Sequence, residues 1–486
     1  MLVMAMTVTS VFAQVDDEFI KEREQMMRES EREFEKFSES IKTDFENFRR
    51  SVNAEYARFM SETWKEFRTI TAEEPPAEPE PPEPVVADPK RKPTADPVRF
   101  EGKPIVPVPI VRPKPIEPIK PASNPVEPLY NVAIYGTQFP FHIDETKRLT
   151  LSSADEKSVA ELWNQLSNEY YDNLVAECLS HRDDSNLCDW AYLRLTEALS
   201  EKCCGGKNNA AVVLQMFILT QSGYQTRIAN ADGHLVLLMG SEEVIYKYKF
   251  FTLENVKFYI IDRSLENETM YIFNHAFPNE RPMSLALGQP ELNVVPTTPR
   301  TLQSKRYPNV QVTVCSNKNL LDFYNDYPLS SRWDSYTVAS ASSTLKESLY
   351  PTMKKVIEGK SQAEAANIFI NFVQTAYEYA TDDKQFGYER PLFPDETAFY
   401  PYCDCEDRSI FFAMLVRELI GLDVVLLHYP GHLATAVNFT EDVSGDYLII
   451  NGKKYIVCDP TYINADIGCC MPDYKTVSPE VITIMR

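Results

Sequence analysis

The chain has 486 residues, and 49 Lys and Arg against 71 Asp and Glu give it a formal net charge of −22. This acidic excess argues against a nucleic-acid-binding protein, because neutralising phosphates requires an excess of basic side chains. Hydrophobic residues make up 44% of the chain, which is enough for ordinary globular cores. At roughly 150 residues per domain, the length corresponds to about three folded units.

The segment 1–13, MLVMAMTVTSVFA, is uncharged, mostly apolar and ends in a small residue before Gln14. This pattern is typical of a secretion signal that is cleaved on export. It is too short to cross a bilayer, which needs about 20 residues. We therefore predict a signal peptide at 1–13 and a secreted, periplasmic or cell-surface protein, in which the cysteines are able to form disulfides. The alternative is a buried or frayed N-terminal helix.

Residues 17–70 contain neither Pro nor Gly and predict one long helix. Its aromatic residues recur with a period of 11, as Phe34, Phe45, Tyr56 and Phe67 and as Phe37, Phe48 and Phe59. An 11-residue repeat gives about 3.67 residues per turn, which aligns one stripe and favours a right-handed coiled coil. We expect this stripe to pair with a second copy of the chain, as a homo-oligomer. Packing on the chain's own domains and association with a membrane surface are the alternatives.

A proline-rich segment follows. Of the 34 prolines, 18 lie between Pro75 and Pro128, so the segment 75–128 cannot form a packed core. Such sequence favours polyproline II, which acts as a semi-rigid spacer. We predict a linker between the helix and the rest of the chain, with a ligand for aromatic-groove domains as the alternative.

An internal repeat occupies the remainder of the chain. In each copy an apolar helix ends at a Gly, a Gly-His pair follows at the same distance, and a later strand ends at an Asp. Gly223, His234 and Asp262 mark the first copy, and Gly421, His432 and Asp459 mark the second. These spacings predict two tandem domains of one fold, at 129–297 and 298–486.

The second copy carries a cysteine that the first does not. Cys405 opens an apolar helix, where unpaired N–H groups and the helix dipole stabilise a thiolate. His432 begins a strand, and a tight turn at Asn451-Gly452 places Asp459 at a strand end near it. A cysteine, a histidine and an acid are the nucleophile, the base and the residue that orients the base in cysteine enzymes.

The stretches YCDCEDRSIFFAMLVRELIGLDV, PGHLATAV and YIVCDPTY resemble the transglutaminase-like superfamily of papain-like cysteine enzymes. The resemblance covers about residues 360–465 and extends in layout to secreted bacterial proteins. It implies an α+β fold, with helices packed on antiparallel sheets, and the catalytic residues Cys405, His432 and Asp459. It implies no cofactor and no metal. A zinc site at the cysteine cluster is a competing interpretation, although that cluster lacks standard ligand spacing.

The first copy keeps His234 and Asp262 but has no cysteine at the nucleophile position. Cys405 and Lys207 lie the same number of residues before Gly421 and Gly223, the glycines that end the two helices, so residue counting pairs Cys405 with Lys207. We therefore predict a degenerate, non-catalytic first domain. For the second domain we predict acyl transfer from a peptide or protein amide through a Cys405 thioester, with water as acceptor in a peptidase or amidase. A protein-crosslinking transglutaminase and a non-catalytic surface scaffold are the alternatives.

Overall fold

The computed structural model describes residues 2–69, 72–76, 84–88, 93–107, 111–119, 128–143, 148–168, 171–265, 269–330, 334–338 and 340–484. Helix α1 runs from Leu2–Met60, about 89 Å at 1.5 Å per residue. It ends before residue 70, the end predicted from the absence of Pro and Gly. Strand β1, Lys65–Arg68, follows. Phe67 is therefore a strand residue opposite Met270 rather than the next member of the helical stripe.

The last turns of α1 are anchored on the domain that follows. Tyr56 is 2% exposed and packs against Trp163, and Asn53 exchanges hydrogen bonds with Gln221. The indole of Trp64 donates to the carbonyl of Met60. These contacts fix the last turns of α1 on the first repeat. The helix ends at Met60 because the chain turns there to enter a sheet. No helix in the described part of the chain is long and apolar enough to cross a membrane.

The described residues of the first repeat form four helices and seven strands. The helices are α2 (Glu156–Asn168), α3 (Tyr171–Asp184), α4 (Asp189–Cys204) and α5 (Asn209–Gln221). The strands are β2 (Leu129–Ile134), β3 (Thr137–His142), β4 (Thr226–Ala231), β5 (His234–Ser241), β6 (Phe250–Leu253), β7 (Val256–Ile260) and β8 (Thr269–Phe273). Strands β2 and β3 form a hairpin of their own, and the others join β1 in an antiparallel sheet of order β1-β8-β4-β5-β7-β6.

The second repeat, over its described residues, adds seven helices and seven strands. The strands are β9 (Arg300–Gln303), β10 (Gln311–Val314), β11 (Asp423–Tyr429), β12 (His432–Asn438), β13 (Tyr447–Ile450), β14 (Lys453–Cys458) and β15 (Glu480–Thr483). The helices are α6 (Lys318–Asp326), α7 (Asp334–Val338), α8 (Ser343–Ile357), α9 (Gln362–Ala376), α10 (Asp382–Gln385), α11 (Pro394–Phe399) and α12 (Cys405–Leu415). A π-helical turn, Val416–Ile420, extends α12, and a 3₁₀ turn covers Pro472–Tyr474.

The two main sheets have the same strand order. The second sheet runs β15-β11-β12-β14-β13, and five strands of the first sheet run β8-β4-β5-β7-β6. In both, an apolar helix packs on the sheet just before its central hairpin, α5 in the first and α12 in the second. The predicted α+β class with antiparallel sheets is therefore confirmed. The first hydrophobic core also includes Leu320, Phe323 and Tyr324 of α6, which lie beyond the boundary predicted at residue 297.

The described parts of the proline-rich segment are not a free spacer. Val86, Pro97 and Ile105 each form a parallel bridge with the second repeat. Farther along, Arg112 contacts Asp183 and Asn186 of the first repeat. The linker prediction is thus corrected for these residues, because their backbone groups pair with the second repeat and the Arg112 side chain binds the first. Residues 77–83, 89–92, 108–110 and 120–127 lie outside the described part of this segment.

Candidate active site in the second repeat

Cys405 is the first residue of α12, as its sequence context predicted. Asp404 precedes it in an extended conformation, and the Asp404 N–H donates to the carboxylate of Asp407 at 3.3 Å. Helix α12 is anchored from the inside by Phe411 and Phe412, which are fully buried against α9. The Cys405 side chain is therefore positioned by a helix that the core itself holds in place.

His432 and Asp459 are brought together by the sheet. His432 begins β12, and Asp459 follows the last residue of the neighbouring strand β14. The two strands pair antiparallel, so both residues lie at one end of the sheet. His432 Nε2 and Asp459 Oδ2 are 2.9 Å apart.

The turn after Asp459 fixes the carboxylate. Asp459 Oδ1 accepts hydrogen bonds from the backbone N–H groups of Thr461 and Tyr462 at 2.9 and 3.2 Å. Gln374 of α9 donates in turn to the carbonyl of Tyr462 at 2.8 Å. One carboxylate oxygen is thus occupied by the backbone, and the other is left for the imidazole.

The second imidazole nitrogen of His432 is available for chemistry. Within the described residues, its Nδ1 is buried and has no hydrogen-bond partner. A buried nitrogen without a partner is costly in a folded protein, and such atoms are often explained by a catalytic role. With Asp459 on Nε2, Nδ1 is the nitrogen that can exchange a proton.

The Cys405 thiol bonds to other groups in this arrangement. Its sulfur donates to the Glu406 carboxylate at 2.9 Å, and the backbone N–H of Leu433, the residue after His432, acts to lower the pKa of the thiol. The side chain is 0% exposed. Burial, followed by the charges of Glu406 and Asp404, raises the Cys405 pKa well above its usual value. The helix start alone therefore does not produce a thiolate here, and a protonated imidazole beside the sulfur is required.

Tyr474 covers this group of residues and was not identified from the sequence. Its ring stacks on the His432 imidazole with centroids 4.8 Å apart, and it is also close enough to Cys405 for the two side chains to interact electrostatically. No local motif signals it, because Tyr474 reaches the site from a 3₁₀ turn beyond the last predicted site residue.

Buried carboxyls surround the start of α12. Asp382, Asp404 and Asp407 are all buried, with oxygens within 4.8 Å of one another. Burial is the main cause that raises the pKa of each of them. They are the set of side chains, in the described part of the chain, that is close enough together to hold a cation. That set contains no cysteine, so it does not support the zinc alternative.

None of the cysteines, all of which lie among the described residues, forms a disulfide. Cys403, just before Asp404, accepts a contact from Nε of Arg408 at 3.4 Å rather than bridging to Cys405. The guanidinium of Arg408 also donates to the carbonyls of Gln374 and Tyr377. Arg408 therefore connects α12 to the end of α9, and Cys403 contacts this guanidinium and not the Cys405 sulfur.

The first repeat has an asparagine at the position of Cys405. Asn209 is the first residue of α5, as Cys405 is of α12. Its Oδ1 accepts the N–H of Leu235, the residue after His234, at 2.9 Å. In the second repeat, the backbone N–H of the corresponding residue, Leu433, acts on the Cys405 thiol and lowers its pKa. The pairing of Cys405 with Lys207 by residue count is thus corrected, because the π-helical turn after α12 lengthens the helix of the second repeat.

Lys207 instead pairs with the acid of the first repeat. Its Nζ lies 2.8 Å from Asp262 Oδ2, while His234 is exposed. These residues line a cavity of about 420 Å³ with Asn209 and Gln215. The first repeat therefore has the histidine and the acid of the second repeat but neither their hydrogen bond nor the thiol.

Comparison of this chain with known proteins finds no matching family model, no matching curated protein and no matching solved structure. The resemblance to the transglutaminase-like superfamily therefore stays a prediction from the sequence motifs around Cys405, His432 and Asp459.

Proposed function

We propose that the second repeat is a transglutaminase-like cysteine enzyme that transfers an acyl group from a peptide or protein amide. The observation that carries this proposal is the buried His432, whose Nε2 bonds to Asp459 and whose Nδ1 has no partner among the described residues. A buried imidazole that is oriented by a carboxylate is the base that a cysteine nucleophile requires.

The reaction begins with the Cys405 sulfur attacking the amide carbonyl while its proton passes to Nδ1 of His432. The backbone N–H of Cys405, at the start of α12, stabilises the negative oxygen that forms. The C–N bond then breaks, and the amine leaves with the proton from His432. A thioester remains on Cys405. Water attacks it with His432 as base, which releases a carboxylic acid and restores the thiol.

Hydrolysis is the proposed outcome because water needs no second binding site. An amine in place of water would give an amide crosslink by the same steps. We also propose a secreted or periplasmic location, because the segment 1–13 has the pattern of a secretion signal, and a bacterial source, because the layout resembles that of secreted bacterial proteins. The substrate is a peptide or a protein, since the attacked bond is an amide.

The test compares alkylation with activity. Iodoacetamide should label Cys405 of the unfolded chain readily, and in the folded protein its labelling should depend on His432, so that His432→Ala slows it. Asp459→Asn leaves the shape of the site but removes the negative charge of the carboxylate that faces Nε2 of His432. We expect it to lower kcat/KM on a peptide library by a factor on the order of 10²–10⁴. Cys405→Ala is the inactive control. The comparison is made in wild type and again in a Val98→Asp background, and equal peptide cleavage with and without Asp459→Asn in a background that cleaves peptides would contradict the proposal.

A non-catalytic scaffold is the second candidate. It is favoured by the bond of the Cys405 thiol to Glu406 rather than to His432. Under this alternative, His432→Ala leaves alkylation of Cys405 unchanged, and no member of the peptide library is cleaved. Including a labelled primary amine in the same assay separates hydrolysis from crosslinking, because only a transferase incorporates the amine.

We also propose that α1 joins two or more chains. Phe34, Phe37 and Phe48 are 71%, 64% and 50% exposed, whereas Tyr56 on the same helix is buried in the first repeat. Only the end of the aromatic stripe is therefore covered by the described part of the chain. The 11-residue period matches a coiled coil, so a second copy of the helix is the proposed partner.

A further inference from the structure

The described residues 84–88 and 93–107 of the proline-rich segment form a strap across the second repeat. Ala87 N–H donates to the carbonyl of Ile463, and Ile463 N–H donates back to Val85. Val98 and Tyr447 are joined by a backbone hydrogen bond of 2.8 Å. These paired backbone groups fix the strap along its length rather than at one point.

The strap also binds the segment that follows the candidate active site. Arg99 N–H donates to the carbonyl of Lys475, and Ile105 exchanges backbone hydrogen bonds with Val481 and Thr483. The Lys475 ammonium donates to Thr94 at 2.6 Å. Residues 475–483 are thus tied to the strap on both sides of Ser478.

Apolar contacts from the strap converge on Tyr474. Ala87 is 3% exposed in a cluster with Tyr462 and Met471, and Val98 is 5% exposed in a second cluster with Tyr429. Tyr474 packs against both clusters. The strap therefore reaches Tyr474 from two directions, although the two segments are distant from each other in the sequence.

Tyr474 in turn closes the candidate active site. Its ring stacks on His432, and His432 and Cys405 are 1% and 0% exposed. An amide carbonyl must reach the Cys405 sulfur before acyl transfer can begin. The segment around Tyr474 therefore has to move, and the strap contacts oppose that movement because they would be lost with it.

We propose that the strap is an autoinhibitory clamp that holds Tyr474 over Cys405 and His432. This proposal rests on the function proposed above, because a clamp is useful only over a reactive site. Release of the strap opens the segment at 472–478 and exposes the sulfur. Cleavage of the strap, or its capture by another protein, switches the enzyme on.

The experiment measures the accessibility of the thiol rather than activity. Full-length protein is treated with iodoacetamide, and mass spectrometry of peptides follows the rate at Cys405 relative to Cys315, a partly exposed thiol of the same repeat. Val98→Asp places a charge in the apolar cluster under the strap, and we expect it to raise the relative rate at Cys405 by about tenfold or more. Circular dichroism and a thermal melt verify that the variant is folded.

Two matched comparisons distinguish exposure of the Cys405 thiol from a general loss of folding. Tyr474→Ala removes the covering ring without touching the strap and should also raise the rate, whereas Tyr474→Phe keeps the stacked ring and should not. Arg112→Ala loosens the same proline-rich segment on the first repeat, where Arg112 contacts Asp183 and Asn186, and should leave the Cys405 rate unchanged.

The failures of the two proposals are distinguishable. If Val98→Asp and Tyr474→Ala expose Cys405 but no peptide is cleaved, the clamp stands and the catalytic proposal is overturned. If wild type already cleaves peptides at the rate of Val98→Asp, the catalytic proposal stands and the clamp is overturned. An unchanged Cys405 rate in a folded Val98→Asp protein overturns the clamp as well.

Discussion

The backbone N–H of Leu235 donates a 2.9 Å hydrogen bond to Oδ1 of Asn209. Asn209 Nδ2 donates in turn to the carbonyl of Gly233 at 2.9 Å, so the amide links the start of α5 to both sides of His234. The backbone N–H at the same position in the second repeat, Leu433, acts on the Cys405 thiol and lowers its pKa. One structural position thus carries an asparagine that fastens a helix to a sheet in one repeat and a thiol in the other.

The first prediction concerns this position. Asn209→Cys installs a thiol but replaces two hydrogen bonds, and we expect it to lower the free energy of unfolding by about 1–3 kcal/mol. It should not create acyl transfer in a Cys405→Ala background, because Asp262 is bound to Lys207 and not to His234. Urea unfolding and the peptide-library assay measure the two effects.

Asn208→Ala is the control for this substitution, because it removes the helix-capping bond to Ala211 without introducing a thiol. Acyl transfer by Asn209→Cys at a rate near that of wild type would show that the hydrogen bond between acid and histidine is dispensable.

The second prediction concerns pH and the buried Asp395. Burial raises the pKa of this carboxyl to about 6, against hydrogen bonds from Ser342 that lower it. The unfolded chain loses this proton near the ordinary Asp pKa of about 3.9, whereas the folded protein keeps it until about pH 6. The contribution to stability is therefore present below about pH 4 and is lost as the pH rises to about 6.

Asp395→Asn removes this titration. We expect the drop in unfolding free energy between pH 4 and pH 7 to be smaller in the variant by about 2 kcal/mol. Urea titrations at both pH values measure it, with Asp155→Asn as a control because that exposed carboxyl has a lowered pKa. A drop as large in Asp395→Asn as in wild type would assign the pH dependence to other carboxyls.

The third prediction concerns the exposed stripe of α1. Replacing Phe37 and Phe48 by Ser removes two large apolar side chains that the described part of the chain leaves exposed. We expect wild type to elute as an oligomer and the double variant as a monomer, because burying each phenylalanine between helices stabilises the assembly by about 1.5–3 kcal/mol. Light scattering coupled to size exclusion gives the mass of each.

The control replaces Ser38 and Ser40, also exposed on α1, by Ala, which leaves the stripe intact. A monomeric wild-type protein would exclude self-association, and protection of the stripe only in the presence of lipid vesicles would assign it to a membrane surface.

The features that are predictable from sequence depend on neighbours along the chain. The helical period of the aromatic residues needs no tertiary structure, and α1 follows it until Met60. Cys405 at a helix start is signalled by Asp404 and Asp407, which cap the helix on either side of it. The positions of His432 and Asp459 at strand ends follow from strand and turn signals of the same short range.

The errors arise where distant parts of the chain meet. Residue counting pairs Lys207 with Cys405, because a π-helical turn at Val416–Ile420 alters the count without a clear signal in the sequence. The sequence pattern predicts that the first helix continues to residue 70. The neighbouring residues carry no signal that Trp64 bonds to Met60 or that Phe67 joins a sheet.

The sequence by itself thus determined the order of Cys405, His432 and Asp459, the repeat that contains them and the class of fold. These properties follow from periodicity, caps and turns, which act over short stretches of chain. Only the tertiary structure decided that His432 bonds to Asp459, that Asn209 stands where Cys405 does, and that the proline-rich residues 84–88 and 93–107 lie against the segment carrying Tyr474. Those contacts join residues that are as far apart in the sequence as Thr94 and Lys475, and hydrogen bonds and apolar burial at that range depend on the folded arrangement of the whole chain.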